Sequence, residues 1–319
     1  MKILMTEPLQ PIGFDVFVEH GVEVVQPDGL DETSLIAAVQ GVDGIAVRSA
    51  KLTPAVLEAA GQLRAVARHG VGFDNVHVPS LNARAIPLLL AVNANAVSVA
   101  EHTMLFVLSL AKRIRRYDEA ARNSDFGFRS SPVAIDIAGK TLTIVGFGRI
   151  GTRLAPRALA FDMQVNVYDP YVDDALIAAA GCHPVAQLHD VLGETDFLTV
   201  HCPLNDETRG IVGAEELARM RDDSFVINCA RGGIVDEQAL IEAVQAERIA
   251  GAGVDVFVTE PPPADHPFLK DDRFYLTPHS AGVSVEAARR MSFETADNLV
   301  HALRGKVREP ALANPEILS

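Results

Sequence analysis

Residues 141–153, Thr-Leu-Thr-Ile-Val-Gly-Phe-Gly-Arg-Ile-Gly-Thr-Arg, constrain the fold more than any other stretch of the chain. The apolar run 142–145 predicts a buried parallel strand, and Gly146, Gly148 and Gly151 follow with GxGxxG spacing as a helical pattern begins. The first glycine permits a sharp turn, the second lets a pyrophosphate approach the backbone, and the third lets the helix pack close to the strand. The free N–H groups of the helix N-terminus favour phosphate. This stretch therefore predicts a dinucleotide-binding turn.

An acidic residue supports that interpretation. The chain has 23 glycines, so the GxGxxG spacing alone is also compatible with an ordinary turn. The next predicted strand, 164–168, ends at Asp169, about 20 residues after the last glycine, where a carboxylate binds the ribose hydroxyls of an adenosine. Because the same carboxylate would repel a 2'-phosphate, the pattern favours NAD over NADP. The alternative is that Asp169-Pro170 simply starts a turn.

Composition limits the class of protein. A length of 319 residues suggests about two domains, and 48% apolar residues with a mean hydropathy of +0.16 fit a globular protein. The formal net charge of -14 argues against a nucleic-acid partner. The three cysteines, Cys182, Cys202 and Cys229, form no CxxC pattern, so we expect reduced thiols, no metal site and a cytoplasmic protein. No signal-peptide pattern is present, and the apolar stretch 85–111 is interrupted by polar residues, so no membrane association is expected.

The first part of the chain predicts a parallel α/β sheet. Strand patterns at 2–5, 22–25, 44–47, 64–67 and 86–90 alternate with helical patterns at 12–19, 32–39 and 54–60. Arg48 and the loop 68–72 follow two of these strands. They should therefore lie at the carboxyl edge of the sheet, where α/β proteins bind ligands.

A single helix over 97–116 is expected to link two domains, followed by an irregular arm at 126–132. The helix ends in the basic run Lys112-Arg113-Ile114-Arg115-Arg116. Complementing the helix dipole is the favoured explanation of this run, and an anion site is the alternative.

The alternation then restarts and predicts a doubly wound sheet of six strands near 142–146, 164–168, 197–201, 224–229, 251–256 and 274–277, with helices near 150–161, 173–180, 214–220 and 236–247. A last helix at 285–303 leaves this domain. The predicted division is a Rossmann domain at 99–288 and a discontinuous substrate-binding domain at 1–98 plus 289–319.

Three residues at the carboxyl ends of the later strands are candidates for chemistry. Arg231 offers a planar guanidinium that suits a carboxylate, and His279 has an imidazole that can exchange a proton near neutral pH. Glu260 could orient that imidazole. Each residue alone is compatible with an ordinary surface group. Their joint placement on successive strand ends of one sheet is what predicts a catalytic site.

The chain resembles the D-isomer-specific 2-hydroxyacid dehydrogenases, above all the phosphoglycerate dehydrogenase branch, over nearly its whole length. The matching segments are Arg48-Ser49, Gly70-Val71-Gly72 with Asp74-Asn75-Val76, Ser98-Val99-Ala100-Glu101, residues 139–151, Tyr168-Asp169-Pro170, residues 200–204, residues 228–233, residues 253–257, Glu260-Pro261, and residues 278–282. The resemblance implies a Rossmann domain, a flavodoxin-like α/β substrate domain, NAD as cofactor, and a homodimer formed through residues 99–135.

The resemblance also implies roles for individual residues. His279 would be the acid/base and Glu260 its partner, while Arg231 would hold the substrate carboxylate and polarise the carbonyl. Arg48, Ser49, Val71 and Gly72 would join Arg231 in binding a small anionic 2-hydroxy or 2-oxo acid. Asp255 would bind the nicotinamide carboxamide, although it could instead cap a strand end. The remaining cofactor residues would be Gly146, Gly148, Arg149, Ile150, Gly151, Asp169, His201, Pro203, Thr208, Cys229, Ala230 and Gly282.

Several departures from the family pattern leave the substrate open. Val92, Phe73 and His77 replace residues that are common in the family near the substrate. No sequence follows the last helix for the regulatory domain of longer phosphoglycerate dehydrogenases, so serine feedback through it is not expected. The expected reaction interconverts a D-2-hydroxy acid and its 2-oxo acid. The alternatives are an NAD(H)-sensing protein like the corepressors that resemble this family, and a relative acting on formate or phosphite.

Overall fold

The computed structural model describes residues 1–130 and 132–318, which form two compact units. Unit 1 comprises Met1–Asn95 and the chain from Val283 onward, and unit 2 comprises Ala96–Gly282. The two boundaries between these units lie a few residues before the predicted boundaries at 98/99 and 288/289. Ser131, which falls in the predicted arm and dimer segment, lies outside the described residues, as does Ser319.

Unit 1 is built on a five-stranded parallel sheet with the order β2-β1-β3-β4-β5. Its elements up to the end of the sheet are β1 (Lys2–Met5), α1 (Pro11–Glu19), β2 (Glu23–Val25), α2 (Glu32–Ala38), β3 (Gly44–Val47), α3 (Pro54–Ala59), β4 (Ala65–Arg68), α4 (Val78–Asn82) and β5 (Leu88–Leu90). The sequence pattern missed only the short helix α4. The helix α3 starts with a hydroxyl cap followed by proline, because the Thr53 side chain accepts a hydrogen bond from Val56 N and Pro54 is the first helical residue.

Unit 2 contains a seven-stranded parallel sheet with the order β12-β11-β10-β9-β6-β7-β8. Its elements are α5 (Ala96–Lys112), α6 (Ile114–Arg122), β6 (Thr141–Val145), α7 (Gly151–Leu159), β7 (Gln164–Tyr168), α8 (Asp174–Ala179), β8 (His183–Pro184), β9 (Phe197–Val200), α9 (Ala214–Arg219), β10 (Phe225–Asn228), α10 (Glu237–Gln245), β11 (Gly251–Val254) and β12 (Phe274–Leu276). The predicted six strands are all present. The seventh, β8, is a two-residue edge strand that pairs with β7 and is too short for a periodic pattern to reveal.

The last helix, α11 (Val285–Leu303), belongs to unit 1. Its N-cap residue Ser284 accepts a hydrogen bond from Ala287 N. The helix buries Ala296, Leu299 and Val300 in a core cluster that includes Ile3 and Phe17 of unit 1. Burial of this apolar face explains why the helix pattern at 285–303 returns to the N-terminal sheet.

The prediction of one helix over 97–116 is wrong. The helix α5 ends at Lys112, and Arg113 adopts a left-handed conformation with φ 50° and ψ 40° before α6 begins. The Arg113 guanidinium lies over the Phe225 ring, 5.0 Å from its centroid, and Arg115 donates to Phe274 O at 3.0 Å. These contacts with distant residues hold the break. Only Lys112 of the basic run therefore lies in the last turn of α5.

The predicted irregular arm contains a 3₁₀ helix at Phe126–Ser130. Further 3₁₀ segments are Leu188–Asp190, Leu192–Glu194, Pro267–Leu269, Glu309–Ala311 and Pro315–Leu318. Among the described residues, no helix is both long and apolar enough to cross a membrane.

Candidate active site

The glycine turn after β6 is shaped by close backbone approaches. Gly146 has φ +99°, and a Cβ there would lie 2.8 Å from both Cys202 N and His201 C. A Cβ on Gly151, the first residue of α7, would lie 2.4 Å from Gly146 O. Gly148, in contrast, has no neighbouring atom within 4 Å of a Cβ position. The first and third glycines are thus required by the protein's own backbone, while the second borders open space that a phosphate could occupy.

Asp169 lies directly beside this turn, at the end of β7. Its Oδ2 accepts a hydrogen bond from Phe147 N at 2.7 Å, and its Oδ1 accepts one from Tyr171 N at 3.0 Å. A backbone hydrogen bond also joins the glycine turn to the end of β7, because Gly146 N donates to Tyr168 O at 2.9 Å. The carboxylate is half-buried and fixed in orientation. The glycine turn and Asp169 together therefore fit the phosphates and ribose of a dinucleotide.

The loop after β9 forms the other side of the turn. His201 N donates to Val145 O at 2.7 Å, and Nε2 of the ring contacts Thr199 Oγ1 at 3.1 Å. Burial lowers the pKa of His201 to about 3, so the ring is neutral near neutral pH. Its Nδ1 is buried without a hydrogen-bond partner among the described residues. Pro203 and Thr208 close the loop, since Thr208 Oγ1 donates to Pro203 O at 2.5 Å.

The three catalytic candidates follow three neighbouring strands. The register aligns Asn228 of β10 with Val254 of β11, and Val254 with Leu276 of β12. Arg231, Glu260 and His279 come after these residues along the chain. The structure thus places all three in segments that leave the same edge of the unit 2 sheet.

His279 and Glu260 are in direct contact. His279 Nδ1 lies 2.7 Å from Glu260 Oε2, and Glu260 Oε1 accepts a hydrogen bond from Phe257 N at 3.0 Å. The two side chains are 46% and 37% exposed, so the pair is accessible to a small molecule. Because Nδ1 is paired with the carboxylate, Nε2 is the ring atom that can exchange a proton with a substrate.

The segment carrying Arg231 is held by Asn228 at the end of β10. Asn228 Oδ1 accepts from Ala230 N at 3.0 Å, and Asn228 Nδ2 donates to Arg231 O at 2.8 Å. A Cβ on Gly232 would lie 2.2 Å from the Phe257 carbonyl, so the two segments are in backbone contact. This contact brings the Arg231 segment against the one that leads to Glu260. Cys229 is buried here, and burial raises the pKa of its thiol well above the usual range.

Asp255 lies at the centre of this edge and is only 1% exposed. Its carboxylate accepts hydrogen bonds from Thr277 Oγ1 at 2.5 Å, Ser280 N at 2.8 Å and Ala281 N at 3.0 Å. These bonds have the form of the strand-end cap that the sequence left open as an alternative. Binding of a nicotinamide carboxamide by Asp255 stays a prediction. The same holds for the exposed Arg149, for Ile150 and Ala230, and for Gly282, the last residue of unit 2.

In unit 1, the predicted substrate residues follow β3 and β4. Ser49 N donates to Glu7 Oε1 at 2.9 Å, and the Ser49 hydroxyl also donates to Glu7, which follows β1. Arg48 is exposed, and Val71 and Gly72 are half-buried. Sequence reasoning missed Glu7, whose only signal was an acid two residues after the first strand.

His69 is a second residue that the sequence did not single out. It follows β4 and is buried, with its Nε2 at 3.1 Å from Ser292 Oγ of α11. Burial, followed by the charges of Arg48 and Arg68, lowers the pKa of His69 to about 4. The ring is therefore neutral near neutral pH and supports the loop that carries Val71 and Gly72.

No group of three or more potential metal ligands occurs in the described part of the chain. As described above, the predicted cofactor, substrate and catalytic residues follow strands of the unit 1 sheet or of the unit 2 sheet.

Comparisons with known proteins extend these observations. A family model described as "D-isomer specific 2-hydroxyacid dehydrogenase, NAD binding domain" matches residues 104–281, which lie within unit 2. The chain is 36% identical over 318 residues to a D-3-phosphoglycerate dehydrogenase of Methanocaldococcus jannaschii, covering 99% of this chain but 60% of that protein. The chain thus spans about 60% of the length of this curated relative.

Two solved structures are similar over almost the full chain. The TT0316 protein from Thermus thermophilus superimposes with a TM-score of 0.88 at 29% identity, covering 98% of this chain and 100% of that chain. A D-lactate dehydrogenase from Aquifex aeolicus, solved with NAD and lactic acid, superimposes with a TM-score of 0.84 at 27% identity, covering 98% and 99% of the two chains.

Proposed function

Because the chain belongs to the D-isomer specific 2-hydroxyacid dehydrogenase family, we propose that it interconverts a 2-hydroxy acid and the corresponding 2-oxo acid with NAD as its redox cofactor. The observation that carries this proposal is the contact of His279 Nδ1 with Glu260 Oε2 at 2.7 Å, at the sheet edge that Arg231 shares. An imidazole held by a carboxylate, with an arginine segment at the same sheet edge, suits proton exchange at the oxygen of a 2-oxo acid.

The cofactor would be held by the glycine turn and its surroundings. Gly148 borders the space for the pyrophosphate, the positive end of the α7 dipole begins at Gly151 beside it, and Asp169 binds the ribose hydroxyls. Bound NAD supplies the nicotinamide that accepts or donates a hydride at C2 of the substrate.

His279 performs the proton exchange in this proposal. In reduction, Nε2 gives its proton to the carbonyl oxygen, and in oxidation the same atom takes the proton of the hydroxyl group. Glu260 binds Nδ1 and thereby fixes both the orientation of the ring and the nitrogen that faces the substrate. Because Glu260 is itself held by Phe257 N, the pair is oriented before substrate binds.

Arg231 binds the carboxylate of the substrate. A guanidinium can donate two parallel hydrogen bonds to a carboxylate, which fixes the neighbouring carbonyl relative to His279. We propose a small anionic D-2-hydroxy or 2-oxo acid as the substrate, with Arg48, Ser49, Val71 and Gly72 as further binding residues. The D configuration rests on the family alone.

We further propose a homodimer and a cytoplasmic location. The surface of α5, α6 and the following 3₁₀ helix exposes Leu105 (52%), Ile114 (51%) and Phe126 (67%), which supports self-association through residues 99–135. The three cysteines are free thiols, which agrees with a reducing compartment. The comparisons do not favour a corepressor-like sensor or a formate or phosphite dehydrogenase.

The test is NADH consumption with a panel of 2-oxo acids that includes glyoxylate, hydroxypyruvate, phosphohydroxypyruvate and sulfopyruvate. We expect turnover with at least one of them, and the ranking of kcat/KM names the substrate class. His279→Gln should lower kcat about 10²- to 10⁴-fold while NADH binding, measured by its fluorescence, stays nearly unchanged. NADH binding without turnover of any acid would refute the proposed reaction, and full turnover by His279→Gln would refute the role of the imidazole.

A further inference from the structure

A chain of hydrogen bonds connects the helix α5 to the turn that carries His279. His102 Nε2, on α5, lies 3.0 Å from Thr277 Oγ1, and Thr277 Oγ1 donates to Asp255 Oδ1 at 2.5 Å. The catalytic proposal above uses neither His102 nor Thr277. Both residues nevertheless sit one or two hydrogen bonds away from the backbone of His279.

The direction of these bonds follows from the available protons. A hydroxyl has a single hydrogen, and Thr277 donates it to the carboxylate of Asp255. Thr277 Oγ1 must then accept from His102, so His102 carries a proton on Nε2. Burial lowers the pKa of His102, with Asp255 opposing the shift, and the ring is therefore neutral near neutral pH. The hydrogen bonds thus run in one direction, from His102 through Thr277 to Asp255.

Asp255 in turn holds both sides of His279. It accepts from the Thr277 hydroxyl before His279 and from Ser280 N and Ala281 N after it, while its own carbonyl accepts from His279 N at 2.7 Å. His279 has a left-handed φ of 52°. Such a conformation is unfavourable for a non-glycine residue and persists only where the surroundings impose it. The bonds to Asp255 are the contacts that impose it here.

His102, the first donor in this series of hydrogen bonds, is also held in place. His102 packs edge-on against Phe106, one helical turn further along α5, with the ring centroids 4.8 Å apart. Phe106 is buried against β11, because a Cβ on Gly253 would lie 2.7 Å from its ring. The helix therefore sits tightly on the strand that ends at Asp255, and His102 has little freedom to move away from Thr277.

We propose that His102 and Thr277 are positioning residues that act through Asp255 to hold His279 in the left-handed conformation in which it contacts Glu260. This inference rests on the proposed role of His279 as the acid/base. Neither residue needs to touch the substrate. Their loss should therefore lower kcat more than it changes the substrate KM or the affinity for NADH, because a small misplacement of a catalytic group is costly to the chemical step.

The experiment compares Thr277→Val, which removes the hydroxyl at nearly constant volume, with Thr277→Ser, which keeps it. On the helix, His102→Leu removes the donor and His102→Gln retains one. Thr295→Val is the control, because it removes a buried hydroxyl of α11 that bonds to Met291 O and to none of these residues. Each variant is measured for kcat, KM, NADH binding by fluorescence and thermal unfolding.

We expect kcat to fall about 10- to 100-fold in Thr277→Val and about 3- to 10-fold in His102→Leu. Thr277→Ser and His102→Gln should recover most of the loss, and Thr295→Val should have the kcat of the wild type. The kcat of the double variant His102→Leu/Thr277→Val should be no lower than that of Thr277→Val alone, since His102 and Thr277 act through the one carboxylate of Asp255.

The outcomes separate this inference from the proposed function. A wild-type protein without turnover overturns the proposed function itself. If the wild type turns over and His279→Gln does not, but Thr277→Val and His102→Leu keep full kcat, only the positioning role is refuted. A lower melting temperature with unchanged kcat, or an equal loss in Thr277→Ser, also refutes it. Should Thr277→Val fail to fold, His102→Leu decides the question, because it leaves all three donors to Asp255 in place.

Discussion

The three glycines of the turn after β6 should respond differently to the same substitution with alanine. Gly146 has φ +99°, and its added Cβ would lie 2.8 Å from the backbone of the loop after β9. A left-handed alanine costs about 1–2 kcal/mol and overpacking about 1–3 kcal/mol, so Gly146→Ala should destabilise the protein by about 2–5 kcal/mol. Gly151→Ala lacks the conformational cost but places its Cβ 2.4 Å from Gly146 O, so a loss of about 1–3 kcal/mol or more is expected.

Gly148→Ala is the matched control for stability and the informative variant for binding. No atom lies within 4 Å of its Cβ position, so the free energy of unfolding should be nearly unchanged. The added methyl group would instead occupy the space proposed for the pyrophosphate. NADH affinity should fall about 10-fold or more, which corresponds to about 1.4 kcal/mol.

The assays are thermal unfolding without ligand and NADH binding by fluorescence. At about 2–4 °C per kcal/mol, the melting temperature should drop by about 4–20 °C for Gly146→Ala and stay near the wild-type value for Gly148→Ala. Unchanged melting temperatures for Gly146→Ala and Gly151→Ala would refute the steric reasoning. A folded Gly148→Ala that binds NADH like the wild type would refute the placement of the pyrophosphate.

Three further outcomes are expected. Asp169→Asn removes the charge that repels a 2'-phosphate but keeps an acceptor for Phe147 N, so the ratio of NADPH to NADH affinity should rise about 10-fold; an unchanged ratio would remove the ribose assignment. Arg231→Lys keeps the charge but loses the planar fork, so the KM for the 2-oxo acid should rise about 10-fold, and an unaltered KM would contradict carboxylate binding. The pKa of His69 is lowered from 6.5 to about 4, so the unfolded chain takes up its proton first and stability is lost as pH falls from 6.5 toward 4, by up to about 3 kcal/mol. His69→Gln should flatten this decline in acid unfolding, and an identical pH dependence would show that His69 does not cause it.

Much of the architecture follows from local patterns in the sequence. Each of the eleven strand patterns coincides with a strand to within a few residues, because apolar runs and turn residues act over short distances. The misplaced features have non-local causes. The helix is interrupted at Arg113, because arginine side chains there contact Phe225 and the backbone of Phe274. These contacts override the helical pattern. The edge strand β8 has two residues, so only its pairing with β7 defines it.

The sequence could also place Arg231, Glu260 and His279 after successive strands, because the carboxyl ends of parallel strands meet at one edge. It indicated Glu260 as the partner of His279, but it gave no sign of the bonds that Glu7 receives from Ser49. The bonds at these strand ends join residues on different elements. His279 contacts Glu260, Glu7 accepts hydrogen bonds from Ser49, and Asp255 accepts from three donors.

The sequence by itself thus determined the order of the strands and helices, the glycine turn and the kinds of side chain at the strand ends. Only the tertiary structure decided the left-handed conformation of His279, the neutral state of His69 and His201, and the connection from His102 to Asp255. The physical reason is that periodicity and backbone preferences are set by near neighbours along the chain. Hydrogen-bond geometry and desolvation depend instead on which distant residues the packing brings within about 3 Å.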